Sequence, residues 1–241
     1  MTKTLTIITG ASSGIGEATA RLLSSLGYPL LLLARRVDNM ERLALPNTLC
    51  CAVDVTDSAA LSAAVSEAEA QFGPAGALIN NAGVMLLGTM AEQDPAEWQR
   101  MFDVNVKGLL NGVHAVLQGM IERRNGTIIN VSSVAGRKTF PNHTAYVGTK
   151  FAVHAMSENL REEVAPHDVR VITIAPGAVE TELLGHTTND AIKSGYQDWK
   201  QSMGGTVLSP QNVADAIRFA LEQPQNVCVR EIVLAATRQG A

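Results

Sequence analysis

The chain has 241 residues, of which 46% are hydrophobic and 17% charged, and its formal net charge is −4. This composition is typical of one globular domain and excludes an intrinsically disordered chain. The acidic balance argues against a nucleic-acid partner, because a phosphate backbone requires a basic surface.

Short apolar runs alternate with helical patterns along the whole chain. The runs predict seven strands, at 5–9, 29–34, 48–53, 76–80, 126–131, 170–175 and 231–235. Helices are predicted between them, at 14–26, 57–72, about 95–122 and about 145–164, with a last helix before the seventh strand. Such alternation implies right-handed crossovers. We therefore predict a single-domain Rossmann fold over residues 1–241: a doubly wound, seven-stranded parallel sheet with helices on both faces.

A candidate substrate lid spans residues 180–205. Within it the polar stretch 185–205 is bounded by glycines and interrupts the alternation, so we expect it to be irregular. Long irregular insertions often cover a binding site. A plain surface excursion is an equally good interpretation of the same residues.

Three features of the sequence favour a cytoplasmic location. No apolar signal region opens the chain, and the most apolar run, 29–34, is too short to span a membrane. The cysteines, Cys50, Cys51 and Cys228, form no C-x-x-C pair, which favours a reducing compartment. We expect no membrane partner, and we expect the cysteines to be small buried residues on strands.

A glycine-rich turn, TGASSGIG at 9–16, joins the first strand to the first helix. Backbone N–H groups and the helix dipole at such a turn can hold a phosphate. Gly10 would allow the tight turn, Gly14 the close approach of a ligand, and Gly16 the packing of helix on strand. The spacing differs from G-x-G-x-x-G, and a helix-start loop with a serine N-cap is the alternative interpretation. The position between a strand and a helix favours a dinucleotide site.

The ends of the second and third strands indicate which dinucleotide binds. Arg35 and Arg36 follow the second strand, where an acidic residue would hydrogen-bond a ribose 2′-hydroxyl. Guanidinium groups bind a 2′-phosphate instead, so we predict NADP(H) rather than NAD(H). Asp54 is a candidate acceptor for the adenine amino group. Its other interpretation is a helix cap, a role that Asp57 and Ser58 fill better.

A tyrosine and a lysine on one predicted helix are candidates for proton transfer. Tyr146 and Lys150 lie four residues apart and therefore on one face. A neighbouring ammonium favours the phenolate, so we expect a lowered pKa for Tyr146. Tyr146 would act as an acid toward a carbonyl or as a base toward an alcohol. Ser133, at the end of the fifth strand, can donate to the substrate oxygen, with Ser132 as the competing candidate.

Six motifs appear in the order found in the short-chain dehydrogenase/reductase family. They are TGASSGIG (9–16), NNAG (80–83), DVNVKG around Asn105, INVSS (129–133), AYVGTK (145–150) and APG (175–177). The chain resembles this family over essentially its whole length. NNAGVMLLG, SENLREEV and REIVLAAT add a likeness to its NADP-dependent subgroup of clavaldehyde and 3-hydroxy-acid (serine-type) dehydrogenases and NADPH-binding blue fluorescent proteins.

The resemblance implies a catalytic set of Asn105, Ser133, Tyr146 and Lys150. In it Asn105 would hold a water that relays protons to Lys150; a hydrogen-bonded core amide is the alternative interpretation. Residues 81–83 would border the adenosine ribose, Pro176 and Gly177 the nicotinamide, and Thr181 the carboxamide or pyrophosphate. Together with the positions derived above, the residues predicted to bind NADP(H) are Gly10, Ser12, Ser13, Gly14, Ile15, Gly16, Arg35, Arg36, Asp54, Val55, Asn81, Ala82, Gly83, Tyr146, Lys150, Pro176, Gly177, Val179 and Thr181.

We therefore expect an NADP(H)-dependent oxidoreductase that reversibly reduces an aldehyde or ketone to an alcohol. The resemblance implies hydride transfer from the B face of the nicotinamide. It also implies that the protein is usually a homotetramer. The apolar helices 95–122 and 145–164 would form the contact with another subunit in this tetramer or in a homodimer. Three alternatives remain: an NADPH-binding protein with little turnover, a 3-hydroxy-acid dehydrogenase working oxidatively, and an epimerase or dehydratase, which usually carries a larger substrate domain.

The expected substrate pocket is apolar. Its candidate residues are Met85, Leu86, Leu87, Val179, Leu183 and Leu184. Lys193 and Lys200 in the lid would serve an acidic substrate. His143 and Trp199 are candidate site residues, although a surface position for His143 and core packing for Trp199 are at least as well supported. The five histidines are scattered, so no metal site is expected.

Overall fold

A computed structural model describes residues 3–240; the ends of the predicted domain, 1–2 and 241, lie outside the described residues. Seven parallel strands form one sheet in the order β3-β2-β1-β4-β5-β6-β7. The strands are β1 Leu5–Thr9, β2 Leu30–Ala34, β3 Thr48–Ala52, β4 Ala75–Asn80, β5 Gly126–Val131, β6 Val169–Pro176 and β7 Glu231–Leu234. The predicted doubly wound Rossmann sheet is confirmed, and the strand bounds differ from the predicted ones by at most one residue.

Helices cover both faces of this sheet. They are α1 Gly14–Ser25, α2 Val37–Glu41, α3 Ser58–Phe72, α4 Pro95–Phe102, α5 Gly108–Arg123, α6 Thr144–Val164, α7 Asp190–Ser202 and α8 Pro210–Leu221. A π-helical segment, Asp103–Lys107, joins α4 to α5, so the long predicted helix is continuous but contains one wider turn. Within residues 3–240, no helix combines the length and the apolar character needed to cross a membrane.

Side-chain caps fix where several helices begin. Asp57 accepts hydrogen bonds of 3.0 Å from the N–H groups of Ala59 and Ala60, as expected of an N-cap. Asp94 caps α4, whose first residue is Pro95, a position that needs no backbone donor. These local signals explain why helix starts can be inferred from the sequence.

The core has one layer on each face of the sheet. Leu31 and Leu33 of β2 pack into a cluster with residues of α3, α5 and α6, whereas Leu30 and Leu32 pack against α1, α2 and α8. Burial of a leucine side chain contributes about 2 kcal/mol. A strand buried on both faces therefore needs a continuous apolar run, which is what β2 contains.

The cysteines are less buried than predicted. Cys50 and Cys51 lie on β3 at the edge of the sheet and are half-buried, and Cys228 is exposed. All three are free thiols. An edge strand has a neighbour on one side only, so its residues keep more contact with solvent.

The lid segment is largely helical, so the prediction of an irregular stretch at 185–205 is wrong. A 3-10 turn at Glu182–His186 precedes α7. Asn189 caps α7 by accepting a 3.1 Å hydrogen bond from the N–H of Ile192. Ile192, Tyr196 and Trp199 recur at helical spacing, and this stripe is the signal that predicts the helix.

Candidate active site

A cavity of about 910 Å³ opens at the carboxyl ends of the strands. It lies beside β1 and β4, where the strand order reverses and open α/β sheets form a crevice. Every residue predicted to bind the cofactor lines this cavity except Gly16, and every predicted catalytic residue lines it except Asn105.

The glycine loop has two residues in a backbone conformation that residues with a side chain rarely adopt. Gly10 has φ +66° and Gly14 has φ +57°. A Cβ on Gly10 would lie 2.8 Å from the Cα of Ala82, and one on Gly16 would lie 2.3 Å from the carbonyl oxygen of Gly10. Gly16 therefore serves the packing of α1 against the loop, as predicted, but does not contact the cavity.

The loop is held in place by the residues after β4. The Thr9 hydroxyl accepts hydrogen bonds from the N–H groups of Asn81 and Ala82, at 3.0 and 3.1 Å. The Asn81 side chain donates back to the carbonyl oxygens of Thr9 and Gly10, at 3.1 and 3.2 Å. These four hydrogen bonds hold the loop after β1 against the segment after β4. They therefore join two walls of the cavity at the place where the strand order reverses.

One end of the cavity contains the residues predicted to bind a phosphate. The Arg36 guanidinium donates to the hydroxyls of Ser13, at 3.0 Å, and Ser12, at 3.4 Å. The same nitrogen pairs with the Glu182 carboxylate at 2.9 Å. Arg35 lines the cavity beside it. The predicted phosphate-binding residues therefore lie together.

Asp54 lies at the same end. Its carboxylate accepts from the N–H and hydroxyl of Thr56, at 2.9 and 2.8 Å, and the bond from the N–H is the main reason for its lowered pKa. Asp57, not Asp54, caps α3. Asp54 thus lies in the cavity wall, and its carboxylate is held by two hydrogen bonds from Thr56 in the same loop.

The two serine candidates point to different partners. The Ser132 hydroxyl is buried and contacts His154 Nδ1 at 2.9 Å and the carbonyl oxygen of Lys150 at 3.3 Å. The Ser133 hydroxyl accepts from the N–H of Ala135 at 3.0 Å and interacts with the Tyr146 hydroxyl, where it works to lower the tyrosine pKa. Ser133 is therefore the serine next to the phenol.

Burial dominates the acid–base properties of the pair on α6. It raises the pKa of Tyr146 above its ordinary value, with a smaller contribution from Tyr196, and lowers the pKa of Lys150 to about 8. The Lys150 ammonium lies 5.8 Å from the Tyr146 ring centroid and donates to the carbonyl oxygen of Val131 at 3.1 Å. The prediction of a lowered tyrosine pKa is therefore wrong for this structure.

Asn105 lies in the π-helical turn, buried behind the cavity wall. Its amide oxygen accepts from the N–H of Val84 at 2.8 Å, and its amide nitrogen donates to the carbonyl oxygen of Val84 at 2.9 Å and to Thr149 at 3.2 Å. Here Asn105 is a hydrogen-bonded core amide. A Cβ on Gly83 would lie 3.3 Å from Asn105 Oδ1 and 4.0 Å from Lys150 Nζ, so the space that this glycine leaves open borders both side chains.

The other end of the cavity has an aromatic wall. Successive rings are 5.2–6.4 Å apart between centroids, and the rings belong to Phe140, His143, Tyr146, Tyr196 and Trp199. His143 lines the cavity rather than the surface, and burial lowers its pKa. The ring is therefore neutral at neutral pH. Trp199 also lines the cavity and is not a core residue.

Apolar side chains complete this end. Of the predicted pocket residues, Met85, Leu87, Val179, Leu183 and Leu184 line the cavity and Leu86 does not. Lys200 lines it too, but its ammonium is paired with Glu180 at 2.6 Å. Lys193 pairs with Asp190 at 2.8 Å and is not part of the wall.

A family profile described as short chain dehydrogenase matches residues 4–191. The chain belongs to the short-chain dehydrogenase family. The closed form of a serine dehydrogenase complexed with NADP⁺ superposes on this short-chain dehydrogenase with a TM-score of 0.90 and 29% identity, covering 98% of this chain and 96% of the other.

Two curated relatives of this short-chain dehydrogenase are more similar in sequence. An uncharacterized oxidoreductase of Staphylococcus saprophyticus is 38% identical over 239 residues, which are 97% of this chain and 96% of the relative. The glycine betaine reductase ATRR of Emericella nidulans is 39% identical over 235 residues, which are 95% of this chain and 18% of that protein. The chain is thus an oxidoreductase of this family.

Several residues of the dehydrogenase cavity were not found from the sequence, and Glu182 and Tyr196 are two of them. Glu182 lies on Arg36 although 146 residues separate them, and no local pattern reveals that distance. Tyr196 faces the cavity on α7, and its position four residues after Ile192 is the signal that would have placed it.

Proposed function

We propose that this short-chain dehydrogenase uses NADP(H) and reversibly reduces an aldehyde or ketone to an alcohol. One observation carries the proposal: Ser133, Tyr146 and Lys150 line the same cavity as the glycine loop and Arg36. The proposed proton donor and the cleft proposed for the dinucleotide then share one cavity. An NADPH-binding protein with little turnover needs the cleft but not the buried phenol and serine.

Two features of the cavity support a phosphorylated dinucleotide as the cofactor. The loop around Gly10 is too close to Ala82 for any side chain, so backbone N–H groups can approach a pyrophosphate. Arg36, Ser12 and Ser13 supply donors for the ribose 2′-phosphate, and Arg35 lies beside them. Bound NADPH supplies the hydride that the carbonyl carbon accepts.

We propose Tyr146 as the proton donor; burial raises its pKa, so the phenol is a weaker acid than free tyrosine and the groups around it must favour the transfer. The phenol keeps its proton at neutral pH and can give it to the carbonyl oxygen as the carbon is reduced, which yields an alcohol and tyrosinate. The Lys150 ammonium over the ring stabilises that tyrosinate, and Ser133 donates to the developing oxyanion. Asn105 holds the loop beside Lys150, and we propose that a water near this amide returns the proton.

We propose a neutral, apolar carbonyl compound as the substrate. The wall opposite the glycine loop is aromatic and aliphatic, and the one lid ammonium on it, that of Lys200, is paired with Glu180. A hydroxy acid would need a cation for its carboxylate. Oxidation of a 3-hydroxy acid therefore requires Lys200 to leave Glu180, which makes it the weaker candidate.

A second candidate is an aldehyde that carries a quaternary ammonium group. Aromatic rings bind such cations through their faces, and Tyr196 and Trp199 lie in the wall with ring centroids 5.2 Å apart. The name of the relative from Emericella nidulans, a glycine betaine reductase, points to the same class of compound.

A matched pair of substrates distinguishes the two candidates. Trimethylammonioacetaldehyde and 3,3-dimethylbutanal have nearly the same shape and differ in charge. If the neutral substrate is preferred, NADPH oxidation will show a higher kcat/KM for 3,3-dimethylbutanal. A preference of roughly tenfold for the cation, reduced by Trp199→Leu, would establish the second candidate instead.

Tyr146→Phe tests the chemical role. We expect kcat to fall at least about 100-fold, whereas NADPH titrated by fluorescence will still bind to the variant. Activity that survives the substitution would remove Tyr146 from its role. NADPH binding without oxidation by any aldehyde, ketone or 3-oxo acid would favour the binding protein.

We also propose a homotetramer or homodimer formed through α5 and α6. Leu110 and Phe151 on these helices are 45% and 43% exposed, which is unusual for large apolar side chains on adjacent elements. Light scattering checks the assembly. Leu110→Asp with Phe151→Asp is expected to shift the mass to a smaller species, and an unchanged mass would contradict this interface.

A further inference from the structure

The anion-binding end of the cavity already holds a carboxylate from the chain itself. Glu182 Oε2 lies 2.9 Å from the terminal nitrogen of Arg36 that also donates to Ser13 at 3.0 Å and to Ser12 at 3.4 Å. The pKa of Glu182 is lowered, first by its hydrogen bond with Arg36 and also by one with Ser13. The carboxylate thus uses the donors that a phosphate oxygen would use.

Glu182 reaches this place because the start of the lid lies on the glycine loop. A Cβ on Gly14 would lie 3.1 Å from the methyl group of Thr181, the residue before Glu182. Glu182 is also the first residue of the 3-10 turn that carries Leu183 and Leu184 into the substrate wall. One short segment therefore links the phosphate end of the cavity to the substrate end.

We propose that Glu182 determines cofactor affinity and specificity: its carboxylate occupies the 2′-phosphate position on Arg36 until the phosphate displaces it. The inference rests on the proposed NADP(H) preference. A dinucleotide without the 2′-phosphate leaves the Arg36–Glu182 pair in place. Binding of a 2′-phosphate to Arg36 would break this pair and release the Glu182 carboxylate.

The relative strengths of the two contacts favour displacement. The side chains of Arg36 and Glu182 are 53% and 63% exposed, and ion pairs between such exposed groups are weak. A phosphate dianion forms shorter, bidentate, charge-assisted hydrogen bonds with a guanidinium. Loss of the competing carboxylate should therefore tighten phosphate binding by about two- to fivefold, the range set by an exposed pair.

Glu182→Gln tests this with two fragments of the cofactor in isothermal titration calorimetry. Adenosine 2′,5′-bisphosphate carries the phosphate in question, and adenosine 5′-phosphate does not. We expect the variant to bind the bisphosphate about two- to fivefold more tightly than the wild type and to bind the monophosphate with unchanged affinity. In the Arg36→Ala background the same substitution should no longer have this effect.

Glu17→Gln is the matched control. Glu17 lies in the first turn of α1, next to the same loop, but pairs with Arg21 at 2.9 Å rather than with Arg36. The Glu17→Gln substitution removes the same charge as Glu182→Gln. An equal gain in affinity for the bisphosphate would therefore show a general electrostatic effect and overturn the inference. Weaker bisphosphate binding by Glu182→Gln would show that Glu182 orients Arg36 and would overturn it too.

A different outcome of the same titrations would contradict the proposed NADP(H) preference. If the wild type binds both fragments equally, Arg36 holds no 2′-phosphate and both proposals are wrong. If the wild type prefers the bisphosphate but Glu182→Gln does not improve its binding, only the role of Glu182 is wrong.

Discussion

The side-chain amide of Asn105 and the main chain of Val84 form two hydrogen bonds in opposite directions, 2.8 and 2.9 Å long. Both residues are buried. The pair fixes the backbone that follows β4, next to the Lys150 ammonium. The π-helical turn displaces Asn105 from regular helical register, and such turns often occur at functional sites.

Asn105→Ala will leave the N–H and carbonyl of Val84 without these partners inside the protein. Each unsatisfied buried group costs about 1–3 kcal/mol, so we expect the free energy of unfolding to fall by about 3 kcal/mol, with a lower kcat. Urea denaturation and steady-state kinetics measure both. Asn111→Ala is the control, since Asn111 makes one 2.8 Å bond to the carbonyl of Val55. Equal losses in the two variants would contradict a special role for Asn105.

The strands and the order of the site residues could be predicted because their signals are local. A parallel strand such as β2 is buried on both faces and reads as an unbroken apolar run. The glycine loop follows β1 directly, so its place at the sheet edge follows from the fold. Tyr146 and Lys150 share a face because four residues separate them on a helix.

The rest depends on contacts between distant parts of the chain. The pKa of Tyr146 is raised mainly by burial and further by the electrostatic effect of Tyr196, and the spacing to Lys150 reports neither. The lysine ammonium donates to Val131 on β5 instead of to the phenol. The His143 ring lies 6.3 Å from that of Tyr196 on α7, between centroids, and this contact joins distant parts of the chain. Spacing alone carries no information about such desolvation.

Replacing Arg35 and Arg36 together with alanine tests the cofactor assignment. We expect NADPH binding to weaken far more than NADH binding, roughly tenfold or more, because charge-assisted bonds to the 2′-phosphate are lost. Fluorescence titration with each dinucleotide measures the two dissociation constants. Arg21→Ala, on the exposed side of α1, removes one positive charge nearby and should change neither preference. Equal losses for NADPH and NADH would contradict a phosphate site.

Two glycine-to-alanine substitutions in helices should have opposite effects on stability. At Gly16 the new Cβ would lie 2.3 Å from the carbonyl oxygen of Gly10, so we expect at least about 2 kcal/mol of destabilisation from overpacking. At Gly195 in α7 nothing lies within 4 Å of the new Cβ, and alanine should stabilise the helix by about 0.5–1 kcal/mol. Thermal and urea unfolding check both values. A neutral Gly16→Ala would show that α1 can move away from the loop.

The lowered pKa of Lys150 makes its contribution to stability depend on pH. Burial takes this pKa from 10.5 to about 8. Below pH 8 the lysine is protonated in both the folded and the unfolded chain, and folding bears the full cost of burying the charge. Between pH 8 and 10.5 only the unfolded chain binds the proton, so the cost disappears as the pH rises.

Lys150→Met has a similar shape and no charge at any pH, so it isolates this effect. We expect the unfolding free energy of the wild type, relative to Lys150→Met, to rise by about 3 kcal/mol between pH 8 and pH 10.5. Titrating groups away from Lys150 are common to both proteins and cancel in the difference, and a Tyr146→Phe background removes the neighbouring phenol. Urea denaturation of the two proteins across this range measures it. A difference that stays flat would mean that Lys150 keeps its proton in the folded chain, and that the Val131 carbonyl outweighs burial.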